Sequence, residues 1–191
     1  MHIIGLHGYT GTGKDTIAAH LVSKGWKRVA FADPVYKMLY ALNPIVSSIA
    51  GGYYRVQDIV DDIGWDAAKR IYPEIRTLLQ RLATEACRST FGNYCFVELA
   101  QTDIQEAEYC DCPGVIVTDV RHDIEGEMLL DVSHGRAMIF EVTRPGYGPI
   151  NSHSSEHGLS RKYIAETIAN DSDVDGLNAS IDQLLKTYQM V

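Results

Sequence analysis

Short, almost wholly apolar runs alternate along this chain with longer stretches in which apolar residues recur every three or four positions. His2-Ile3-Ile4-Gly5-Leu6 is the first such run, and Ile17-Ala18-Ala19-His20-Leu21-Val22 opens the first helical pattern. Trp26 to Ala32 predicts a second strand, leaving through Ala32-Asp33-Pro34 into a helix with proline at its start. Val115-Ile116-Val117-Thr118-Asp119 and Ala137 to Val142 lack polar alternation, as strands buried on both faces do. Ile164 to Ala169 reads as a last short strand and Val174 to Tyr188 as a closing helix. Strands alternating with helices predict an α/β fold, a parallel sheet flanked by helices, as one domain over residues 1–191.

Residues 43–72 break this rhythm. Asn43-Pro44, Gly51-Gly52, Gly64 and Pro73 punctuate short helical pieces, which predicts a helical insertion extending over about 43–107. Pro73 opens a helix of about five turns that ends at Phe91-Gly92, and another runs through Glu106. The Pro73 helix has two faces. Ile75, Leu78, Leu79, Leu82 and Ala86 form a stripe expected in the core. Arg76, Gln80, Thr84 and Arg88 recur every four residues on the opposite side. Arginines bracketing an amide and a hydroxyl suit a phosphate and a polar ring; a solvated helix face has the same composition.

The chemistry is most concentrated between the first strand and the first helix. Gly8-Tyr9-Thr10-Gly11-Thr12-Gly13-Lys14-Asp15-Thr16 places glycines where backbone N–H groups can turn onto phosphate oxygens. The following helix adds its positive end, and Lys14 can reach the outer phosphates. Gly8, Gly11, Thr12, Gly13, Lys14, Asp15 and Thr16 are therefore the expected ATP-binding residues. Thr16 would place a hydroxyl on Mg2+, and Asp15, where the strict motif has Ser or Thr, could join the metal shell or orient Lys14. One residue inserted before the threonine is the spacing of small-molecule and nucleotide kinases. Asp119 closes a buried strand, where an acid either organises magnesium or caps the next helix. Arg121 follows two residues on, able to pair with Asp119 or face a phosphate.

Charge narrows the partners. A net charge of −8 argues against a general nucleic-acid binder, so an anion site must be a local cluster of cations. The apolar start is short, broken by Gly5 and without a basic lead-in, unlike a signal peptide, and no apolar run approaches membrane length. Cys87, Cys95, Cys110 and Cys112 read as free thiols. A cytoplasmic protein is the expectation.

Together these stretches resemble the deoxynucleoside monophosphate kinases of bacteriophages. The resemblance rests on Gly8 to Thr16, Phe31-Ala32-Asp33-Pro34, Leu79-Gln80 with Thr84-Glu85 and Arg88, Asp119-Val120-Arg121 with Glu125, Arg144-Pro145, His153 with Ser155-Glu156, and Ile168-Ala169-Asn170-Asp171. Ile124 departs from the asparagine usual in the family. Animal-type phosphomevalonate kinases look similar over the same segments, so the likeness bears on the fold more than on the acceptor. It implies transfer of the γ-phosphoryl group of ATP to a deoxynucleoside monophosphate, with Mg2+, in a cytoplasmic enzyme that is often a homodimer. Another small-molecule kinase, of phosphomevalonate or dephospho-CoA type, and a nucleotide-dependent regulatory module are the alternatives. On the kinase reading, Asp33, Arg76, Gln80, Thr84, Glu85, Arg88, Asp119, Arg121 and Glu156 bind the acceptor. Thr16, Asp15 and Asp119 attend the metal, and Lys14, Arg121 and Arg144 act in catalysis, with Arg161 an alternative to Arg144.

Overall fold

The computed structural model describes residues 1–148 and 159–190. In chain order the elements begin with β1 (His2–His7), α1 (Lys14–Ser23), β2 (Lys27–Val29) and α2 (Asp33–Leu42). A hairpin, β3 (Ile45–Ser47) and β4 (Tyr53–Arg55), leads to α3 (Val56–Ile71). Next, α4 (Pro73–Arg81) continues through a π-helical segment, Leu82–Arg88, into α5 (Ser89–Phe91). Then come α6 (Cys95–Ala107), β5 (Gly114–Val117), α7 (Asp123–Val132), β6 (Met138–Thr143), β7 (Ile164–Ala169) and α8 (Val174–Thr187). They fall into two compact units, one of Met1–Phe31 with Val97–Val191 and one of Ala32–Phe96.

The first unit is built on a five-stranded sheet ordered β2-β5-β1-β6-β7, with every neighbouring pair parallel. One face carries Ile4, Leu6, Ile116, Phe140 and Val142 against Ile17 and Leu21 of α1 and Leu177, Ile181 and Leu185 of α8. Each fully buried aliphatic side chain there contributes about 1.5–3 kcal/mol. On the other face, Val120, Leu129 and Ile139 close down on Gly5, so that an added Cβ would stand 3.0–3.1 Å from them and force them to shift. The chain leaves β1 toward β2 on one side and reaches β6 on the other, so β1 is the switch point of the sheet. Ligands of parallel sheets bind beyond the strand ends at such a point. The expected second strand is shorter than the apolar run, because only Lys27–Val29 pairs with β5.

In the second unit the irregular stretch is more ordered than short helical pieces. It holds the antiparallel β3–β4 hairpin and a sixteen-residue α3, interrupted where Gly64 adopts φ 73°, ψ 165°. The Glu74 carboxylate in the first turn of α4 accepts the Ser47 N–H at 2.9 Å and its hydroxyl at 3.1 Å, fixing the hairpin to that helix. The core face of the long helix needs one correction. Ile75 and Leu79 are buried as expected, but Ala86 is exposed and Cys87 is buried instead. A π turn carries one extra residue, which advances the buried stripe by one position.

Candidate active site

The loop between β1 and α1 is shaped by its glycines. Gly8, at φ 138°, passes so close to the Val142 carbonyl that a Cβ would collide with it. Gly13, at φ 112° and ψ 5°, turns the chain into α1 beside the Asn170 amide. Such backbone is open to glycine and strained for other residues. Inside the turn, Thr12 is buried and its hydroxyl donates to the Tyr9 carbonyl at 2.9 Å. Lys14 spans the loop, its Nζ donating to the Gly8 and Tyr9 carbonyls at 2.7 Å each. Asp15 is exposed and Thr16 half-buried in the first turn of α1, beside the helix's positive end. The loop thus brings a helix start and the Lys14 cation together, an arrangement suited to a chain of phosphates.

A second segment stands beside the loop. Past β5 the chain runs through Thr118 to His122, held at nearly every step. The Thr118 N–H donates to the Val29 carbonyl at 3.2 Å and the Val120 N–H to the Leu6 carbonyl at 3.1 Å. Asp119 does not cap α7. Its Oδ1 accepts the Phe31 N–H at 2.9 Å, fastening the end of the β2 strand region. The cap comes from Glu125, a buried carboxylate whose Oε2 accepts the N–H groups of Arg121 at 2.6 Å and His122 at 3.0 Å. Those bonds lock the Arg121 backbone while its side chain lies exposed.

The arginines differ in their surroundings. Arg144 lies over the Tyr147 ring, 4.9 Å from its centroid, and reaches the Gly11 carbonyl at 3.4 Å, so it already sits at the phosphate loop. Arg161, the expected alternative to Arg144, belongs to a 3₁₀ turn and pairs with Glu141 at 2.7 Å. In the second unit Arg76, Gln80 and Thr84 are exposed along the long helix, and the Arg88 guanidinium lies 5.4 Å from the Phe96 ring centroid. Glu85 is tied to Arg81 at 3.0 Å on the same exposed surface. Asp33 is the half-buried first residue of α2. Glu156, with His153 and Ser155, lies outside the described residues.

The expected list omits three residues of the site. Asn170, buried just past β7, donates from Nδ2 to the Thr12 carbonyl at 2.8 Å, and its own N–H bonds Thr143. Its place in the closing Ile168–Asp171 stretch was the available signal. Tyr147 packs its ring against Gly11. His7, the last residue of β1, bonds the Val120 carbonyl through Nδ1 at 2.8 Å. Neither showed any sequence signal beyond proximity to the motifs.

Residues 53–181 match the deoxynucleotide monophosphate kinase family, two thirds of the chain. The chain belongs to that family. It is 23% identical to the deoxynucleoside-5'-monophosphate kinase of Escherichia phage T5, over 92% of this chain and 91% of that protein. In fold it is similar to the dephospho-CoA kinase of Campylobacter jejuni, with a TM-score of 0.51 at 12% identity, covering 97% of this chain and 96% of that one. A sugar kinase from Janibacter compares similarly, with a TM-score of 0.50 at 12% identity and coverage of 97% and 94%. The family member described here is thus an ATP-dependent nucleotide kinase with a five-stranded parallel sheet of phosphate-loop type. Among its described residues no helix is long and apolar enough to cross a membrane.

Proposed function

We propose that this kinase transfers the γ-phosphoryl group of ATP to a deoxynucleoside 5'-monophosphate, giving the diphosphate and ADP. The observation that carries the reading is the independence of its two supports. The family match begins at residue 53, after the loop has ended, and the loop separately supports the reading through its positive-φ glycines and Lys14 at the start of α1, which suit a triphosphate.

Phosphoryl transfer depends on positioning and charge stabilisation more than on covalent chemistry by the protein. The loop amides and Lys14 hold the β- and γ-phosphates, Lys14 exchanging its bonds to the Gly8 and Tyr9 carbonyls for phosphate oxygens. The oxygen donors at Thr16, Asp15 and Asp119 suit Mg2+. Among the described residues no cluster of three or more His, Cys, Asp or Glu could cage a metal. When bound, Mg2+ neutralises charge on the transferring group. In the first unit Arg121 suits the acceptor phosphate; in the second, Arg76 and Arg88 are cations suited to a phosphate, and Gln80 and Thr84 polar groups suited to a base. Arg144, beside Gly11, stabilises charge on the moving phosphoryl group. The acceptor is already an oxyanion and needs no general base.

The test is ADP release across the four deoxynucleoside monophosphates, their ribonucleotide counterparts, phosphomevalonate and dephospho-CoA. Turnover with at least one deoxynucleotide and none with the last two supports the proposal. Preference for either of those, or turnover independent of any acceptor, overturns it.

A further inference from the structure

We infer that His7 is a positioning residue that ties the phosphate loop to the segment bearing Asp119 and Arg121. The inference rests on the reading above, in which that segment serves the acceptor phosphate.

His7 is the last residue of β1, and Gly8, the next, begins the loop. Its Nδ1 lies 2.8 Å from the Val120 carbonyl oxygen. A carbonyl only accepts, so Nδ1 carries the proton, and the bond survives whether the ring is neutral or protonated. Val120 sits between Asp119 and Arg121 and is held a second time, through its N–H on the Leu6 carbonyl at 3.1 Å. Consecutive residues of β1 thus grip both backbone groups of Val120. Glu125 fixes the N–H groups of Arg121 and His122, and Phe31 engages the Asp119 carboxylate. Thr118 is held from β2, its N–H donating to the Val29 carbonyl at 3.2 Å. His7 thus links the residue entering the loop to the Asp119–Arg121 turn through its side chain.

The consequence concerns alignment. In-line transfer requires the γ-phosphate, fixed by the loop, and the acceptor phosphate, gripped by Arg121, to keep one spacing. A displacement of about 1 Å is enough to cost on the order of 10²-fold in rate. The Leu6–Val120 bond holds the strand spacing, whereas His7 holds the carbonyl end of the Val120–Arg121 peptide, whose N–H end Glu125 holds, and the two bonds together set the direction in which Arg121 leaves the backbone.

The experiment compares His7→Ala, His7→Asn and His7→Gln. Asparagine places an amide N–H where Nδ1 stands; glutamine places it where Nε2 stands. His7→Ala is expected to lower kcat/KM for the deoxynucleotide by about 10–100-fold, while ATP affinity measured by calorimetry stays within about threefold. His7→Asn should recover most of the loss and His7→Gln little. Two readouts need no turnover. The ¹⁵N shifts of His7 should mark a protonated Nδ1 at neutral pH, and amide exchange over residues 118–122 should quicken in His7→Ala but not in His7→Asn. Equal rescue by Asn and Gln, parallel loss of ATP binding, an unprotonated Nδ1 or unchanged exchange would each overturn the inference. If the wild-type protein phosphorylates no deoxynucleotide, the proposed reaction fails, and the exchange and ¹⁵N results still decide whether His7 holds the turn.

Discussion

Replacing Gly13 with alanine tests the loop geometry most directly. Two costs are visible. At φ 112° an alanine is forced into left-handed backbone, costing about 1–2 kcal/mol. Its Cβ would also stand 2.6 Å from Asn170 Nδ2 and 3.0 Å from Leu177 Cδ2. The amide must then retreat from the Thr12 carbonyl it meets at 2.8 Å, and a buried bond lost this way costs about 1–3 kcal/mol. Gly135→Ala is the control, since φ is 76° there and nothing lies within 4 Å of the added carbon. It pays the backbone cost alone. The difference of about 1–3 kcal/mol corresponds to roughly 2–12 °C in melting temperature for a chain of this size. On the proposed function, in which the loop amides hold the phosphates, Gly13→Ala should in addition lose ATP affinity. Adding Asn170→Ala should recover part of the melting loss, as coupled neighbours do. Were Gly13→Ala to melt with Gly135→Ala and bind ATP normally, the tight approach of loop and Asn170 would be refuted.

Other expectations follow from the same geometry. Lys14→Ala should cut ADP formation by at least about 10²-fold with an unchanged circular dichroism spectrum; residual activity near wild type would remove Lys14 from the mechanism. Arg88→Ala should reduce kcat/KM for the deoxynucleotide by about tenfold, as loss of a charge-assisted contact does, and unchanged constants would displace the acceptor face. At the α1–α8 contact, burial raises the Asp182 carboxyl, but hydrogen bonds from Lys24 and His20 outweigh it and hold the group below its usual range. A depressed carboxylate stabilises the fold above its unfolded pKa of about 3.9, and that contribution disappears as pH falls through the lower folded value. Asp182→Asn should therefore melt lower than wild type at pH 7, by less than about 1 kcal/mol for so exposed a pair. The gap should close in acid; an undiminished gap would show that charge is not the cause.

How far the sequence discloses this molecule depends on whether a feature is local. The loop from Gly8 to Thr16 was legible because its neighbours in sequence are its neighbours in space, and the apolar runs named β1, β5 and β6 because strands buried on both faces leave little polar alternation. The β3–β4 hairpin escaped notice, its strands having only three residues each and a largely exposed surface. Asn170 and His7 act across 158 and 113 residues, distances at which no periodicity speaks. Asp119 shows a different limit. Its position allowed a metal site or a helix cap, and only the fold reveals that Glu125 had taken the cap.

The long helix of the second unit makes the same point within a single element. Four residues at α-helical pitch overshoot a full turn by about 40°, so a polar series at that spacing should wind away from its starting face. Arg76 and Gln80 obey this, lying in regular α-helix, but Thr84 and Arg88 lie in the π-helical segment. Wider turns there, closed by i→i+5 bonds, make the same four residues fall short of a turn and rotate the series back. The Thr84 hydroxyl donates to the Gln80 carbonyl at 2.6 Å, and the Thr84 carbonyl accepts both the Ser89 N–H and the Ser89 hydroxyl, the latter at 3.0 Å. The local departure that moved burial from Ala86 to Cys87 therefore also straightens the polar row. Amino-acid pattern gives the spacing, while the pitch that converts spacing into a face comes from hydrogen bonding that no residue type announces. A substitution restoring ordinary α-helix between Leu82 and Arg88 would return Ala86 toward the core and swing Arg88 away from the line of Arg76 and Gln80.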